Sequence, residues 1–388
     1  MKKILRFLSA ILVLMMIGLT GALTIFAEEV QTEEAPFSID AKSAVLMEAS
    51  SGKILLEQNA DEALPPASVT KIMTLLLIME AIDEGRLALD DMITASTYAS
   101  SMGGSQIYLK EGEQLSAEDM IKSVVISSAN DAAVALAEHI AGSEEAFVKK
   151  MNEKASELGM KNTVFENTNG LDDTATNHVT SARDIALMSA ELIKHKKILE
   201  YSSIWMDSIR DGAFGLTNTN RLIRFYRGAN GLKTGSTSKA GFCISATAER
   251  DGMTLIAVVM GSPTRDIRNA EATKMLDWGF ANYSLYKCEA EGMGEIKVLG
   301  GTLDSAQISH PGFSMVVSSA DKQKIEPVIE IEESVSAPVK SGDVVGKIRF
   351  MVGETEVGFV PIICDFDVDR ISFFGIVKQM LRYFCLVR

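Results

Sequence analysis

The stretch from Ile72 to Met79 limits the possible folds of this chain more than any other part of the sequence. Its residues are apolar apart from Thr74, and a Pro-Pro pair at positions 65 and 66 ends the preceding segment. A helix that is apolar around its whole circumference has no face suited to water, so other elements must enclose it. The chain has 388 residues, 47% of them hydrophobic, which is enough for such an enclosure. We therefore predict a helix that begins at Ser68 and is buried within a folded domain.

Strand-like segments lie on both sides of the helical region. Two at residues 43–59 flank a Ser-Ser-Gly turn with Gly52 at the position that needs positive φ, and two at residues 242–260 flank a turn ending in Asp-Gly. The helices predicted between and after them, several with serine caps, cover residues 117–126, 131–141, 144–158, 182–193 and 269–283. This order predicts an α/β domain whose two ends share one antiparallel sheet.

The N-terminal segment predicts export. Residues 1–27 combine three cations with a long apolar run that ends at Ala27, before an acidic stretch. This pattern is typical of a secretory signal peptide, either cleaved near Ala27 or retained as an N-terminal anchor. The protein is therefore expected to work outside the cytoplasm.

The C-terminal part has a different pattern of predicted elements. Short strand candidates separated by Gly, Pro and acidic turns predict a small all-β, sandwich-like domain over residues 289–365. Residues 366–388 are predicted to form an amphipathic helix, because Lys378 and Arg382 share one polar face while aromatic and aliphatic residues fill the rest. Such a helix is suited to lying on a membrane surface, although a buried core helix is the alternative.

Charge and ligand content exclude several functions. The chain has 38 Lys and Arg against 52 Asp and Glu, a net charge of −14, so no nucleic-acid partner is expected. Its four Cys and four His have no metal-ligand spacing. We expect neither a metal site nor another cofactor.

A nucleophile remains to be found, and Ser-x-x-Lys supplies one candidate. Residues i and i+3 share a helix face, so a desolvated lysine amine can act as base toward the serine hydroxyl. The pattern occurs five times, but only Ser68-Val69-Thr70-Lys71 opens a buried helix. A structural N-cap is the alternative role of Ser68.

Two more motifs follow in a fixed order, namely Ser128-Ala129-Asn130 between two predicted helices and Lys233-Thr234-Gly235 before the second pair of strands. With their flanking sequences, the three motifs resemble those of D-alanyl-D-alanine carboxypeptidases of the low-molecular-mass penicillin-binding class, which have a β-lactamase/transpeptidase-like fold. The resemblance covers roughly residues 38–286.

The resemblance implies a role for each motif residue. Ser68 is expected to form the acyl-enzyme, Lys71 to take its proton, Ser128 to relay a proton to the leaving D-alanine, and Asn130 to bind the substrate amide and position Lys71. Substrate binding is expected from a second set of residues: Lys233, Thr234, Gly235, Ser236 and Arg268. In that set Lys233, Thr234 and Arg268 hold the terminal carboxylate, and the backbone N–H groups of Ser68 and Ser236 form the oxyanion hole.

The expected function is removal of the terminal D-alanine from peptidoglycan stem peptides at the outer face of the bacterial cytoplasmic membrane, with β-lactams as inhibitors. Two alternatives stay open. A serine β-lactamase shares the motifs but, in one class, needs Glu-x-x-x-Asn, whereas Glu166 here is followed by Gly170. A non-catalytic muropeptide-binding protein is expected to lack a motif residue, and none is missing.

Overall fold

The computed structural model of the protein describes residues 36–172 and 175–384. In chain order its strands are β1 (Ser43–Glu48), β2 (Ile54–Gln58), β3 (Met92–Thr94), β4 (Gln114–Ser116), β5 (Met206–Ile209), β6 (Phe214–Thr217), β7 (Ala229–Thr237), β8 (Gly241–Arg250), β9 (Met253–Ser262), β10 (Tyr283–Cys288), β11 (Glu291–Leu299), β12 (Ser305–His310), β13 (Phe313–Ser318), β14 (Ile325–Ile331), β15 (Ser334–Ser336), β16 (Val344–Val352) and β17 (Thr355–Cys364). Its α-helices are α1 (Lys71–Asp83), α2 (Thr97–Ser100), α3 (Ala117–Ile126), α4 (Asn130–Ala141), α5 (Glu144–Glu157), α6 (Ala182–Leu192), α7 (Lys196–Ser202), α8 (Leu222–Phe225), α9 (Arg265–Asn282) and α10 (Phe373–Phe384). The predicted signal segment, residues 1–27, lies outside the described residues.

One antiparallel sheet joins the two ends of the α/β domain, in the order β2-β1-β9-β8-β7. Two of its hairpins match their turn chemistry: Gly52 has a φ of 69°, and Asp251 and Gly252 have φ values of 51° and 76°. Positive φ at both central residues is what a type I′ hairpin requires. The α/β fold class is confirmed, with β1 paired to β9 as expected for shared chain ends.

Helix α1 is the buried element that the sequence predicts. Every side chain from Lys71 to Met79 is buried, and the helix packs against α3, α4, α5, α6 and strand β7. The predicted start at Ser68 is corrected, because residues Ala67–Thr70 form a 3₁₀ turn and the α-helix begins only at Lys71. In a 3₁₀ turn, residues i and i+3 lie directly above one another, which places Ser68 over Lys71.

Serine caps fix the beginnings of four other helices in the described part of the chain. Ser96, Ser116, Ser143 and Ser181 each accept a hydrogen bond from the backbone N–H three residues on. The predicted start of the last helix of the domain, residue 269, is wrong: α9 begins at Arg265, where Thr264 caps it. This shift places Arg268 inside the first turn of α9.

Strands β10–β17 form the all-β part of the chain. Strands β10 and β13 pair in one sheet, and the other six form a second sheet, β14-β16-β17-β12-β11-β15, in which only β11 and β15 are parallel. A separate apolar cluster fills this region, including Ile296, Phe350 and Ile362. The all-β architecture after the α/β domain is as predicted.

The C-terminal helix is shorter than predicted. It begins at Phe373, whereas residues 366–371 are extended and pair with the β region: Val368 exchanges backbone hydrogen bonds with Val339 and is 1% exposed. Within the described part of the chain, no helix combines the length and apolar character needed to cross a membrane.

Truncation of Leu76 tests the packing around α1. Leu76 is fully buried, so Leu76→Ala is expected to lower the free energy of unfolding by about 2–5 kcal/mol, as removal of a large core side chain does. Met206→Ala, at a side chain that is 65% exposed, is the control and is expected to change it by about 0.5 kcal/mol or less. Urea denaturation of both variants measures the difference, and a loss below about 1 kcal/mol for Leu76→Ala would contradict this packing.

Candidate active site

The turn before α1 presents Ser68 to the cleft. Ala67 has a φ of 50°, unusual for a residue with a side chain, and its carbonyl accepts a 2.8 Å hydrogen bond from Thr70 Oγ1. Strand β7 passes close by: a Cβ on Gly235 would lie 2.7 Å from the Ser68 nitrogen and 2.9 Å from that of Val69. Gly235 is therefore required for β7 to approach the turn.

Lys71 is fully buried, and its Nζ contacts three oxygens. Ser68 Oγ lies 2.9 Å away, Asn130 Oδ1 2.5 Å and the Asn169 carbonyl 2.9 Å. Burial, and secondly the charge of Lys233, hold the pKa of Lys71 well below its usual value, while Asp131 acts in the opposite direction. The amine is thus favoured in its neutral form beside the serine hydroxyl.

Ser128 and Lys233 form a second hydroxyl–amine pair. Lys233 Nζ donates to Ser128 Oγ at 2.8 Å and to the Thr234 carbonyl at 2.8 Å. Ser128 has a φ of 62°, so its backbone adopts a conformation that residues with side chains rarely use. Burial, and then the charge of Arg268, lower the pKa of Lys233 to about 7.

Asn130 links this region to a neighbouring loop. Its side-chain amide donates to the Gly103 carbonyl at 2.7 Å, while its Oδ1 faces Lys71. The next residue, Asp131, is buried and accepts hydrogen bonds from the backbone N–H groups of Ile107 and Leu109. Together, Asn130 and Asp131 hold the loop that carries Ser105 into the cleft.

Arg268 lies in the first turn of α9, close to the end of β8. Its guanidinium is held by Asn269 Oδ1 and by the carbonyl of Cys243. Burial, with the charge of Arg265 as a second cause, lowers the pKa of Arg268 to about 10, so the guanidinium is charged at neutral pH. Nearby, Thr234 donates from Oγ1 to the hydroxyl of Thr219 at 2.8 Å.

All nine predicted site residues meet in or directly behind one cleft of about 640 Å³. Its lining residues are Ser68, Ser105, Ser128, Trp205, Thr217, Asn218, Thr219, Arg221, Phe225, Thr234, Gly235, Ser236, Arg265 and Arg268. Lys71 and Lys233 are buried and reach it through their hydrogen bonds to Ser68 and Ser128, and the buried Asn130 contacts Lys71. Among the residues that the structure describes, the lining contains arginines and no carboxylate, which suits an anionic ligand.

Part of the cleft wall was not predicted from the sequence. Trp205, Thr219, Arg221 and Phe225 line it, although no motif marks them. The arginine-rich composition of residues 218–227 was the available signal. Asn220 explains the placement of Thr219 and Arg221, because its side chain donates to the Gly231 carbonyl and so ties residues 218–227 to β7.

Known proteins resemble this chain over nearly its whole length. The D-alanyl-D-alanine carboxypeptidase family matches residues 29–264, and the C-terminal domain of penicillin-binding protein 5 matches residues 280–370. D-alanyl-D-alanine carboxypeptidase DacF of Bacillus subtilis is 41% identical over 97% of this chain and 98% of its own length. DacC of Escherichia coli is 36% identical over 91% and 90%. The structure of penicillin-binding protein 5 from Haemophilus influenzae matches with a TM-score of 0.78 and 32% identity, over 87% of this chain and 99% of that one.

The pKa of Lys233 predicts a pH dependence. A lysine is charged below its pKa, so its attraction for a ligand carboxylate is present at lower pH and lost as pH rises through about 7. We expect kcat/KM for a peptide ending in D-alanyl-D-alanine to fall on this alkaline side, since kcat/KM reports groups of the free enzyme. In Lys233→Arg the guanidinium stays charged, so kcat/KM is expected to show no fall above about pH 7. This holds whether or not the maximum value of kcat/KM is lower than in the unmodified enzyme. A profile for the unmodified enzyme that keeps rising between about pH 7 and 9 would contradict this role.

Proposed function

The chain belongs to the D-alanyl-D-alanine carboxypeptidase family, and from that membership we propose that Ser68 is its nucleophile and Lys71 the base. The protein is a serine peptidase that removes the terminal D-alanine from peptidoglycan stem peptides through an acyl-enzyme, and β-lactams inhibit this family by acylating the same serine. The residue roles given below are proposals.

A proton inventory around Lys71 is the observation that best supports this assignment. A neutral amine has two N–H bonds and one lone pair. The carbonyl oxygens of Asn130 and Asn169 can only accept, so they take the two N–H bonds. The lone pair is left for Ser68 Oγ, 2.9 Å away. In this arrangement Lys71 can accept the hydroxyl proton as Ser68 attacks the substrate carbonyl.

Ser128 and Lys233 serve the departing D-alanine in this scheme. Ser128 Oγ lines the cleft and accepts from Lys233 Nζ, so its own proton is free to point toward the leaving nitrogen. Asn130 holds Lys71 and has access to the substrate amide. The proton taken by Lys71 is passed through Ser128 to the leaving nitrogen of D-alanine. Water then hydrolyses the acyl-enzyme and frees Ser68.

The remaining residues bind and polarise the substrate. Lys233, Thr234 and Arg268 recognise the free carboxylate, which requires a chain end and explains the carboxypeptidase specificity. The backbone N–H groups of Ser68 and Ser236 stabilise the oxyanion. Gly235 keeps the two close, because any side chain there would displace the serine turn from β7.

The alternatives account less well for the site. Glu166, the residue that a deacylating carboxylate of a β-lactamase would require, is exposed, and its carboxylate accepts from the backbone of Thr176 and Asn177. It is absent from the lining of the cleft. A non-catalytic muropeptide-binding protein has no need of a buried lysine with a lowered pKa beside a hydroxyl that lines the cleft.

Ser68→Ala tests the nucleophile. We expect D-alanine release from a D-alanyl-D-alanine peptide and covalent labelling by fluorescent penicillin both to be lost. The fold is expected to survive, because the hydroxyl of Ser68 is only half-buried and one such hydrogen bond contributes about 1 kcal/mol. Ser105→Ala, at another serine of the same cleft, is the matched control and is expected to keep its label. Labelling that persists in Ser68→Ala would place the nucleophile elsewhere.

We further propose that the peptidase domain runs from residue 38 to the end of α9, that the β domain comprises β10–β17 with residues 366–371, and that the anchor is residues 373–388. The signal at residues 1–27 exports the protein to the outer face of the cytoplasmic membrane. Helix α10 supports the membrane proposal. Its apolar side chains are exposed: Phe373, Phe374, Ile376, Val377, Met380 and Leu381. Lys378 is exposed as well. A helix with this composition is suited to the membrane interface, whereas spanning would bury its cations at a cost of several kcal/mol.

Removal of α10 tests the anchor. The deletion should cover residues 373–388 and keep residues 366–371, which pair with the β domain. We expect the enzyme to move from the membrane to the soluble fraction with unchanged peptidase activity, since the cleft residues all precede residue 269. Replacement of Phe373 and Phe374 by Ser is expected to weaken binding in the same direction. A truncated enzyme that stays with salt-washed membranes would assign the anchor to the N-terminal segment.

A further inference from the structure

His178 is a buried histidine behind the cleft whose two ring nitrogens both have partners. It is 7% exposed and is not among the cleft lining. Its Nδ1 lies 3.0 Å from the backbone nitrogen of Glu166, and its Nε2 lies 2.7 Å from Thr70 Oγ1. The ring of Phe165 packs edge-on against it at 5.7 Å.

The partners determine where the ring proton lies. A backbone N–H can only donate, so Nδ1 is the unprotonated, accepting nitrogen. The neutral ring then carries its proton on Nε2 and donates it to Thr70 Oγ1, whose own proton goes to the Ala67 carbonyl. Burial lowers the pKa of His178 to about 4, against the opposing charges of Glu166, Asp172 and Glu144, so the neutral ring dominates at neutral pH. The hydrogen bonds therefore run in one direction from Glu166 to Ala67.

Both ends of this chain of hydrogen bonds reach the reacting groups. Ala67 immediately precedes Ser68 and has the strained φ of 50°. Glu166 begins the segment 166–171, whose Asn169 carbonyl accepts from Lys71. The two ends also touch directly, since a Cβ on Gly170 would lie 1.9 Å from the Ala67 oxygen.

We propose that His178 is a positioning residue for acylation, holding the serine turn and the segment that fixes Lys71 at one relative distance through its two ring nitrogens. This inference rests on the proposed roles of Ser68 and Lys71. An apolar residue of similar size could fill the space beside Phe165, but it would leave the Glu166 N–H unpaired and release the Thr70 hydroxyl. The serine turn and the segment 166–171 would then lose the hydrogen bonds that keep the 2.9 Å contact between Lys71 and Ser68 in place.

The role can be separated from simple packing by kinetics. Second-order acylation rate constants with fluorescent penicillin, normalised to titrated active sites, are compared for His178→Ala, His178→Gln, Thr70→Val and the double variant His178→Ala/Thr70→Val. His139→Ala, on the exposed face of α4, is the control. Because displacement by about 1 Å can cost about 100-fold, we expect His178→Ala and Thr70→Val each to lower acylation about 10- to 100-fold. We expect KM for the peptide substrate to stay within about threefold, since carboxylate binding is untouched.

Two further readouts depend on the hydrogen bonds themselves. The double variant is expected to be within about twofold of the slower single variant, because both substitutions break the same connection. His178→Gln, whose amide can still donate to Thr70, is expected to recover acylation to within about fivefold of the unmodified enzyme.

Each contrary result has a definite meaning. Normal acylation per active site in His178→Ala, or multiplicative losses in the double variant, would reduce His178 to a packing residue and overturn the proposal. If His178→Ala does not fold, Thr70→Val and His178→Gln decide: a normal rate in Thr70→Val overturns the proposal, and a slow Thr70→Val with a near-normal His178→Gln supports it. Persistent labelling of Ser68→Ala would instead refute the proposed nucleophile, so the two failures are distinguishable.

Discussion

The site depends on one amine that has been taken out of water. Lys71 has no exposed surface, and an isolated buried ammonium would cost several kcal/mol, so the protein favours the neutral form instead. A neutral amine needs acceptors for its two N–H bonds, and its lone pair can accept one hydrogen bond. Asn130 and Asn169 supply the acceptors from segments far apart in the sequence, and Ser68 receives the lone pair. The apolar helix α1, the start of α4 and the segment after α5 are arranged so that these groups meet.

Local chemistry made much of the fold predictable. The Asp-Gly turn before Met253 and the serine caps act within a few residues of where they occur, so they can be recognised without knowledge of the rest of the chain. The apolar circumference of α1 likewise predicts burial directly. The site residues were found through the order of three short motifs and through a family resemblance. Composition and periodicity alone would not have predicted the geometry of the site.

The features of the site that could not be predicted from the sequence depend on contacts between segments that are far apart in the chain. Arg221 enters the cleft because the adjacent Asn220 binds the backbone of β7, and the segment with Trp205 is held by Asn218, which binds the carbonyls of Ser202 and Ile204. Neither contact has a local signal. His178 has the same character, since its two partners belong to different parts of the chain. The start of α9 is a different case: Thr264 is an ordinary cap whose signal was present and was overlooked.

The sheet that joins the ends of the domain also sets the order in which the site can come into being. Ser262 on β9 reaches back to the backbone of Asp40 across a sequence separation of 222 residues, and β7 delivers Lys233 only at this late stage. Contacts of such long range form slowly, because loop closure precedes any gain from them. A chain that is still being synthesised therefore contains Ser68 long before Lys71 and Lys233 are both held in place at the cleft. The arrangement proposed to activate the serine therefore exists only in the completely folded domain. A partly synthesised domain is expected to react with neither a peptide nor a β-lactam.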